Sequence, residues 1–256
     1  FLPESAEPSF VLDSSTVSGN SATQAVGGLL LQCDELPGTA RAAIVNSTFS
    51  GNSGDFGAAL SVSCDDAAGF EVDVSHTTVT AQVAGDSAVD LYRSTVTMRH
   101  TIVGGNATAL DVALEDGALD VAYALVGTAA PDAGTALAAG VGNIVGVTPD
   151  LEPLAANGGR APTHLPVPGG NVVDAPAFAP PPTLDQRGEA RVVDVVDLGS
   201  VELALAVPPT TPTPGGDAVL PPTGDPRPAV AAAAALLLLL AGTVLTLRRR
   251  GGPRAA

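Results

Sequence analysis

The heptapeptide Ser15-Thr16-Val17-Ser18-Gly19-Asn20-Ser21 returns 32 residues on as Ser47-Thr48-Phe49-Ser50-Gly51-Asn52-Ser53. Self-similarity at a fixed period is the mark of a chain built from one repeated unit, and it narrows the fold before any other feature does. Weaker echoes follow at Thr77-Thr78-Val79-Thr80, His100-Thr101-Ile102-Val103-Gly104-Gly105-Asn106 and Tyr123-Ala124-Leu125-Val126-Gly127. Taking Thr16, Thr48, Thr78, Thr101 and Ala124 as equivalent gives steps of 32, 30, 23 and 23 residues. A step near 23, lengthened by insertions in the earlier turns, is the period expected of a parallel β-helix.

Alternation within the repeats agrees with strands. Ala42 and Ile44, Val72 and Val74, and Val96 and Met98 take every second position ahead of the shared motif, as half-buried strands do. A second strand set is visible in Gly27-Gly28-Leu29-Leu30-Leu31 and Ala58-Ala59-Leu60-Ser61-Val62, offset by 31 residues. One turn of chain cannot bury its inner face alone, so stacking on neighbours about 4.8 Å away has to supply the core. A narrow interior suits small side chains, and the chain has no Trp, two Tyr and six Phe. The Gly-Asn pairs supply corners with positive φ, and stacked Asn side chains can hydrogen-bond along the ladder. His76 and His100 fall near the position that Asn46 also holds, which makes them stacked turn residues and not metal ligands; two His make a poor metal site. Asn46-Ser47-Thr48 fits a glycosylation sequon but recurs as turn chemistry.

Cys33 and Cys64 occupy matching places in adjacent repeats. Stacked strands would put their Cα atoms at about 4.8 Å, within the roughly 4.4–6.8 Å that a disulfide spans. A Cys33–Cys64 bridge is predicted; the alternative is a reduced, buried pair of thiols.

The repeats resemble right-handed parallel β-helix surface proteins, and the run from Asn46 to Leu60 is similar to the repeats of bacterial polymorphic surface proteins. Beyond Gly142-Asn143-Ile144-Val145-Gly146 the repeat stops. Pro149-Asp150-Leu151-Glu152-Pro153-Leu154, Asn157-Gly158-Gly159-Arg160, Pro162-Thr163-His164-Leu165, Asp185-Gln186-Arg187-Gly188 and Asp197-Leu198-Gly199-Ser200-Val201-Glu202 follow. Together they resemble the C-terminal module of choice-of-anchor Q domain proteins, a group of β-helix surface proteins whose anchors vary. Where that group reads like PGSPAIDAG, this chain has Pro168-Gly169-Gly170-Asn171-Val172-Val173-Asp174. A solenoid end exposes an unpaired core and strand edge, so residues 147–205 are expected to lie across the last coil as a loop-rich cap. Asp185, Arg187 and Asp197 are then structural, an Arg–carboxylate network that pins the cap. The competing reading makes His164, Asp174, Asp185 and Arg187 an active site.

Residues 206–219, with Pro208, Pro209, Pro212 and Pro214, form a polyproline-like linker of about 40 Å at roughly 3.1 Å per residue. Leu220, Pro221, Pro222, Thr223 and Gly224 follow. The nineteen residues from Ala229 to Leu247 then carry no charge. As a helix they would reach about 28 Å, close to the roughly 30 Å of a bilayer core. Arg248, Arg249 and Arg250 come next, a cluster that stays cytoplasmic and stops the chain from sliding through. Pentapeptide, apolar helix and basic tail in this order resemble the LPXTG cell-wall sorting signal of Gram-positive surface proteins. The resemblance implies cleavage between Thr223 and Gly224 by a sortase, a transient partner, and covalent attachment of Thr223 to peptidoglycan after a membrane-held stage.

Composition bounds the partners. All eleven basic residues are Arg, and the formal charge is −16. Residues 1–223 alone hold 26 acids and six Arg. Such a polyanion has nothing to neutralise phosphates, which argues against nucleic acid. Abundant Ala, Gly, Val and Pro with no Lys point to a GC-rich genome such as an actinobacterial one. The chain opens on Phe1 without a signal peptide, whereas export needs one, so it is expected to be a C-terminal fragment or a processed form. No Gly-rich phosphate loop, nucleophile elbow or metal spacing occurs, and no cofactor or metal is expected. Asp55, Asp65, Asp66 and Asp73 could supply carboxylates for sugar chemistry, but Arg41, Arg93 and Arg99 are scattered and the acids read as a solvated face.

The expected fold is therefore all-β: a right-handed parallel β-helix over 1–146, a loop-rich C-terminal cap over 147–205, the linker over 206–219 and a sorting signal over 220–256. Within that signal the transmembrane helix is 229–247 and the basic tail 248–256. The expected role is display, adhesion or surface structure on the cell wall, the extracellular face of a Gram-positive bacterium, with an unidentified extracellular ligand. A surface polysaccharide lyase or glycoside hydrolase is the alternative.

Overall fold

The computed structural model describes residues 10–33, 40–64, 70–175, 182–191 and 195–203, all within one compact unit. The linker, the pentapeptide Leu220 to Gly224, the apolar run 229–247 and Arg248 to Arg250 lie outside the described residues, as do Asp65 and Asp66. Among the described residues no helix is long and apolar enough to cross a membrane.

The chain runs through successive circuits of three short strands. The first circuit is β1 (Phe10–Asp13), β2 (Thr16–Ser18) and β3 (Leu29–Gln32). The second is β4 (Arg41–Val45), β5 (Thr48–Ser50) and β6 (Leu60–Ser63), and the third β7 (Glu71–Ser75), β8 (Thr78–Thr80) and β9 (Ser87–Tyr92). The fourth is β10 (Thr95–Arg99), β11 (Ile102–Val103) and β12 (Leu110–Glu115). The fifth begins with β13 (Ala118–Ala122) and β14 (Leu125–Val126), then substitutes helix α1 (Pro131–Ala139) for its third strand; β15 (Ile144–Val145) is last.

Like strands of successive circuits pair in parallel and build three sheets. The first sheet runs β1-β4-β7-β10-β13, the second β2-β5-β8-β11-β14-β15, the third β3-β6-β9-β12. The register carries the sequence repeat: Thr16 pairs with Thr48 and Thr48 with Thr78. The fourth and fifth circuits correct the sequence alignment by one residue. Thr78 pairs with Ile102 and Ile102 with Leu125, not with Thr101 and Ala124.

The reason is visible at the corner. Ser14, Asn46, His76, His100 and Tyr123 all take left-handed φ between 46° and 53°, at 48°, 47°, 47°, 50° and 52°. Each turns the chain from the first sheet to the second, in a region where Asn and His are enriched among non-glycine residues. In three of the circuits the next residue braces the corner with its hydroxyl: Ser47 donates to the Val45 carbonyl at 2.8 Å, Thr77 to Ser75 at 3.0 Å and Thr101 to Arg99 at 3.0 Å. Thr101 is thus the counterpart of Ser47, and the strand starts one residue later.

At the next corner Gly19, Gly51 and Gly105 are left-handed as the Gly-Asn pairs predict, and Ala81 takes the same conformation in the third circuit. The amides that follow form a ladder. Asn20 Nδ2 donates to Asn52 Oδ1 at 3.0 Å and Asn52 Nδ2 to Gln82 Oε1 at 3.1 Å. The Gln82 backbone N–H meets Asn106 Oδ1 at 3.0 Å, and Asn106 Nδ2 ends the run on Asp111 Oδ1 at 2.7 Å. The Asn52, Gln82 and Asn106 side-chain oxygens each accept from the circuit before, satisfying donors that lie partly or wholly out of water.

The inner faces of the three sheets enclose one core. Ala42, Ile44, Val72, Val74, Val96 and Met98 come from the first sheet, Phe49, Val79 and Val103 from the second, Leu60, Val62, Val89 and Leu91 from the third. At the far end α1 packs on β12 and β13, with Ala133 and Leu137 buried in that core. This helix, rather than the Pro-rich segment, closes the end of the stack.

The described residues between 147 and 203 do not lie across the last coil. They run along the outer face of the second sheet as far as its first strand, where Thr16 Oγ1 donates to the Pro162 carbonyl at 2.6 Å. A second small core forms between strap and sheet from Ile102, Leu125, Val172, Ala175 and Leu198. Both faces of β5, β8, β11 and β14 are therefore buried, and Ile102 and Leu125 place apolar side chains where the earlier circuits have Thr.

Candidate functional site

The strap is held by polar side chains from both partners. Thr48 Oγ1 donates to Gln186 Oε1 and lies 2.9 Å from Ser200 Oγ, while Gln186 Nε2 donates to Thr16 Oγ1 at 2.7 Å. The Ser200 backbone N–H reaches Thr78 Oγ1 at 3.0 Å, and the Gly199 N–H reaches the His100 carbonyl at 2.8 Å. The outward Thr residues of the first three circuits thus bond the strap.

Asp185 and Arg187 form an ion pair on the flank of the second sheet, and Asp197 is held separately, by backbone N–H groups. Asp185 accepts from Arg187 Nε at 2.9 Å and from the backbone N–H groups of Arg187, Glu189 and Glu202 at 2.8, 3.1 and 3.1 Å. Asp197 Oδ1 accepts from the Asp174 N–H at 2.8 Å and its Oδ2 from the Leu203 N–H at 2.6 Å. Burial raises the Asp197 carboxyl above the usual range, against the opposing pull of those two donors. Two other charged residues were not singled out by the sequence reading. Arg191 Nη1 sits 3.4 Å from Glu202 Oε2, and its Nη2 donates to Asn46 Oδ1 at 3.0 Å and to the Gly199 carbonyl at 2.9 Å. Asn46 Nδ2 donates to the Leu184 carbonyl at 3.0 Å, so the sequon asparagine is spent on the strap.

The competing active-site set is not assembled. His164 Nδ1 donates to the Glu152 carbonyl at 2.7 Å, which leaves Nε2 to accept from the Ser50 hydroxyl at 2.9 Å. Among the described residues no hydrogen bond joins His164 to Asp174, Asp185 or Arg187. Burial lowers its imidazole from the usual value and keeps it neutral.

His76, His100 and Tyr123 stack as a column of rings, with centroids 4.7 Å and 5.5 Å apart. Desolvation, then the Arg191 and His100 charges, push the His76 imidazole down to about 2. Among the described residues no group of three or more His, Cys, Asp or Glu could hold a metal ion. Cys33 and Cys64 are bonded, with Cα atoms 5.0 Å apart across the ends of β3 and β6. Closing a loop with a sequence separation of 31 residues is worth about 3–4 kcal/mol on the chain-entropy account.

The candidate carboxylates divide. Asp55 Oδ2 accepts the Gln24 N–H at 2.8 Å and serves a corner. Asp73 lies in the outward row of the first sheet, with Arg41 paired to Glu71 at 2.9 Å on one side and Arg99 paired to Asp120 on the other. A different pair was missed. Alternation turns Leu30, Ser61 and Asp90 outward in one row of the third sheet, and Ser63, Tyr92 and Glu115 in the next. With Gln24 and Phe56 these residues line an open cleft of about 500 Å³. Ser61 Oγ approaches Asp90 Oδ2 at 3.4 Å. Burial raises the Asp90 carboxyl, with Glu115 and Asp86 adding to the rise against the Ser61 contact. Aligning Ser87-Ala88-Val89 with Ala58-Ala59-Leu60 in the sequence would have set Asp90 opposite Ser61.

Against family models, curated proteins and solved structures, the chain has no match.

Proposed function

We propose that this chain is an exported surface protein of the choice-of-anchor Q kind, fixed to the cell wall through Thr223 and acting in display or adhesion. Its circuits wind as a right-handed parallel β-helix solenoid. The observation that carries the reading is the order of Leu220-Pro221-Pro222-Thr223-Gly224, the uncharged run Ala229 to Leu247 and Arg248 to Arg250. Three parallel sheets in one repeating order and a disulfide-bonded Cys33–Cys64 pair support an exported, stacked protein, since disulfides persist in oxidising compartments.

In the reaction the Thr223–Gly224 peptide bond is exchanged for an amide between the Thr223 carboxyl and an acceptor amine, and Gly224 leaves with a free amino group. Incubation of the full chain with a sortase and an oligoglycine acceptor tests it. Intact mass should show loss of Gly224 to Ala256 and gain of the acceptor, and Pro221→Ala should abolish the product. A chain that keeps its C-terminal peptide under conditions that process a control substrate would overturn the anchoring.

A surface polysaccharide lyase or glycoside hydrolase is the second reading. Its foothold is Asp90 and Glu115, two carboxylates in adjoining rows of one outer face. Release of reducing or unsaturated ends from a polysaccharide panel, lost in Asp90→Asn, would favour it.

A further inference from the structure

We propose that the cleft on the third sheet binds a glycan that carries free amino groups. Asp90 and Glu115 take the ammonium, Phe56 the C–H face of the sugar ring, and Ser61 and Ser63 its hydroxyls. The proposal deepens the display-and-adhesion reading and rests on it for its biological setting.

Charge selects the cation. Burial raises the Asp90 carboxyl, and the neighbouring Glu115 and Asp86 charges add to the rise. The nearby guanidinium, Arg93, is turned over the Tyr92 ring at 4.9 Å and toward Asp116 at 3.9 Å. An arriving ammonium relieves the repulsion, whereas a uronate or phosphate would add to it. The exposed Phe56, at 56%, and Leu30, at 47%, add apolar surface beside the carboxylates. Aromatic faces attract cations and also the polarised C–H groups of sugars.

Geometry separates a sugar from a peptide. β6 pairs with β3 on one side and β9 on the other, and β9 pairs in turn with β12. Ser61, Ser63, Asp90 and Tyr92 therefore stand on strands paired on both sides, and an extended peptide adding at the free edge of β3 would not lie over them. The face offers a row of side chains on a flat support. A cleft of about 500 Å³ is also within the range used for small ligands, roughly 300–1,000 Å³.

Titration of the purified protein with a β-1,4-linked glucosamine tetrasaccharide tests the proposal, followed by calorimetry and by tyrosine fluorescence. Binding should be at least about tenfold tighter than to the N-acetylated tetrasaccharide, the loss expected when one charge-assisted contact is removed. Asp90→Asn, Glu115→Gln and Phe56→Ala should each weaken it by a similar factor while circular dichroism is unchanged. Equal affinity for both saccharides, unchanged binding by the three variants, tighter binding of a lysine-containing peptide, or cleavage of the tetrasaccharide would each overturn it. The titration needs no wall and no sortase. Its failure leaves the Thr223 exchange standing, and failure of that exchange leaves the titration standing.

Discussion

His76 shows how a repeated corner becomes a buried titratable group. The corner needs left-handed backbone, and Asn, His and Tyr fill it in successive circuits because their flat side chains stack at the spacing of the strands. The strap then covers the column and brings Arg191 against it. Protonation of His76 in the folded state would bury a charge and set it against Arg191 and His100, so its imidazole stays neutral down to about pH 2. The unfolded chain takes up that proton at the ordinary value near 6.5. Stability from this group is complete above pH 6.5 and falls as the pH drops, by about 1.4 kcal/mol per unit. His164, lowered by burial between the strap and the second sheet, adds to the same slope. Urea unfolding between pH 7 and pH 5 should show the decline, and His76→Asn, which keeps the side-chain type of Asn46, should flatten it by about half. An unchanged slope in that variant would remove His76 as a cause.

The sequence foretold the stacking of His76 and His100 because their spacing copies that of Asn46, and identical corners demand identical conformations. It did not foretell the cover. Arg191 lies within a stretch of valines and acids that has no period, and Glu202 sits in a motif without a partner of its own; only the folded strap brings them together.

At the scale of elements, the strap and α1 exchange the roles that composition suggests. A Pro-rich, loop-dominated segment reads as an end cap, yet its apolar residues Val172, Ala175 and Leu198 match Ile102 and Leu125 on the outer face of the second sheet. Helix α1 was illegible because Pro131-Asp132-Ala133-Gly134-Thr135-Ala136-Leu137-Ala138-Ala139 has just two buried anchors, Ala133 and Leu137, and so no clear apolar stripe. The strands of the first and third sheets were legible for the opposite reason: the inner face takes aliphatic residues and the outer face mostly small or polar ones, so period-two alternation survives.

The strap's attachment is electrostatic as well as apolar, and the buried Arg191–Glu202 pair is its most exposed point to mutation. Removal of one partner strands the other in a dry setting, which costs about 3–5 kcal/mol. Arg191→Ala should cost that much, because Asn46 Oδ1 and the Gly199 carbonyl lose a donor as well. The double variant Arg191→Met with Glu202→Met should be far less damaging than the sum of the single changes, since apolar replacement removes both desolvation penalties together. A double-mutant cycle in urea measures the difference; strict additivity would mean that the two side chains do not act as a pair.

At the scale of the whole molecule the stack has two unlike ends. The far end is closed by α1 and by Asn143, whose Nδ2 donates to the Leu137 and Val121 carbonyls at 3.0 and 3.1 Å. At the other, β1, β2 and β3 are each the terminal strand of a sheet, and among the described residues nothing pairs with their far sides. Asn20 continues the template. Every later amide of the ladder accepts from the circuit before it, and Asn20 has no such donor among the described residues. The strand Leu29-Leu30-Leu31-Gln32 has no Lys, Pro or bulge to blunt it, and such an edge is a template for a further strand, from a preceding segment or from a second copy.

What opposes association is charge. At a formal net charge of −16 two copies repel, but over a distance that salt shortens from roughly 10 Å at 0.1 M to about 3 Å at 1 M. Backbone pairing and apolar burial at the edge survive that screening. Sedimentation velocity should therefore show the protein associating as salt is raised, the reverse of a complex held by ion pairs. Leu30→Lys combined with Val11→Lys places a charge on two of the three edges, both at exposed side chains. The pair should abolish the association while leaving the unfolding midpoint unchanged. A chain that stays monomeric at every salt concentration would mean that this end is already satisfied, and the open-template account of the edge would be lost.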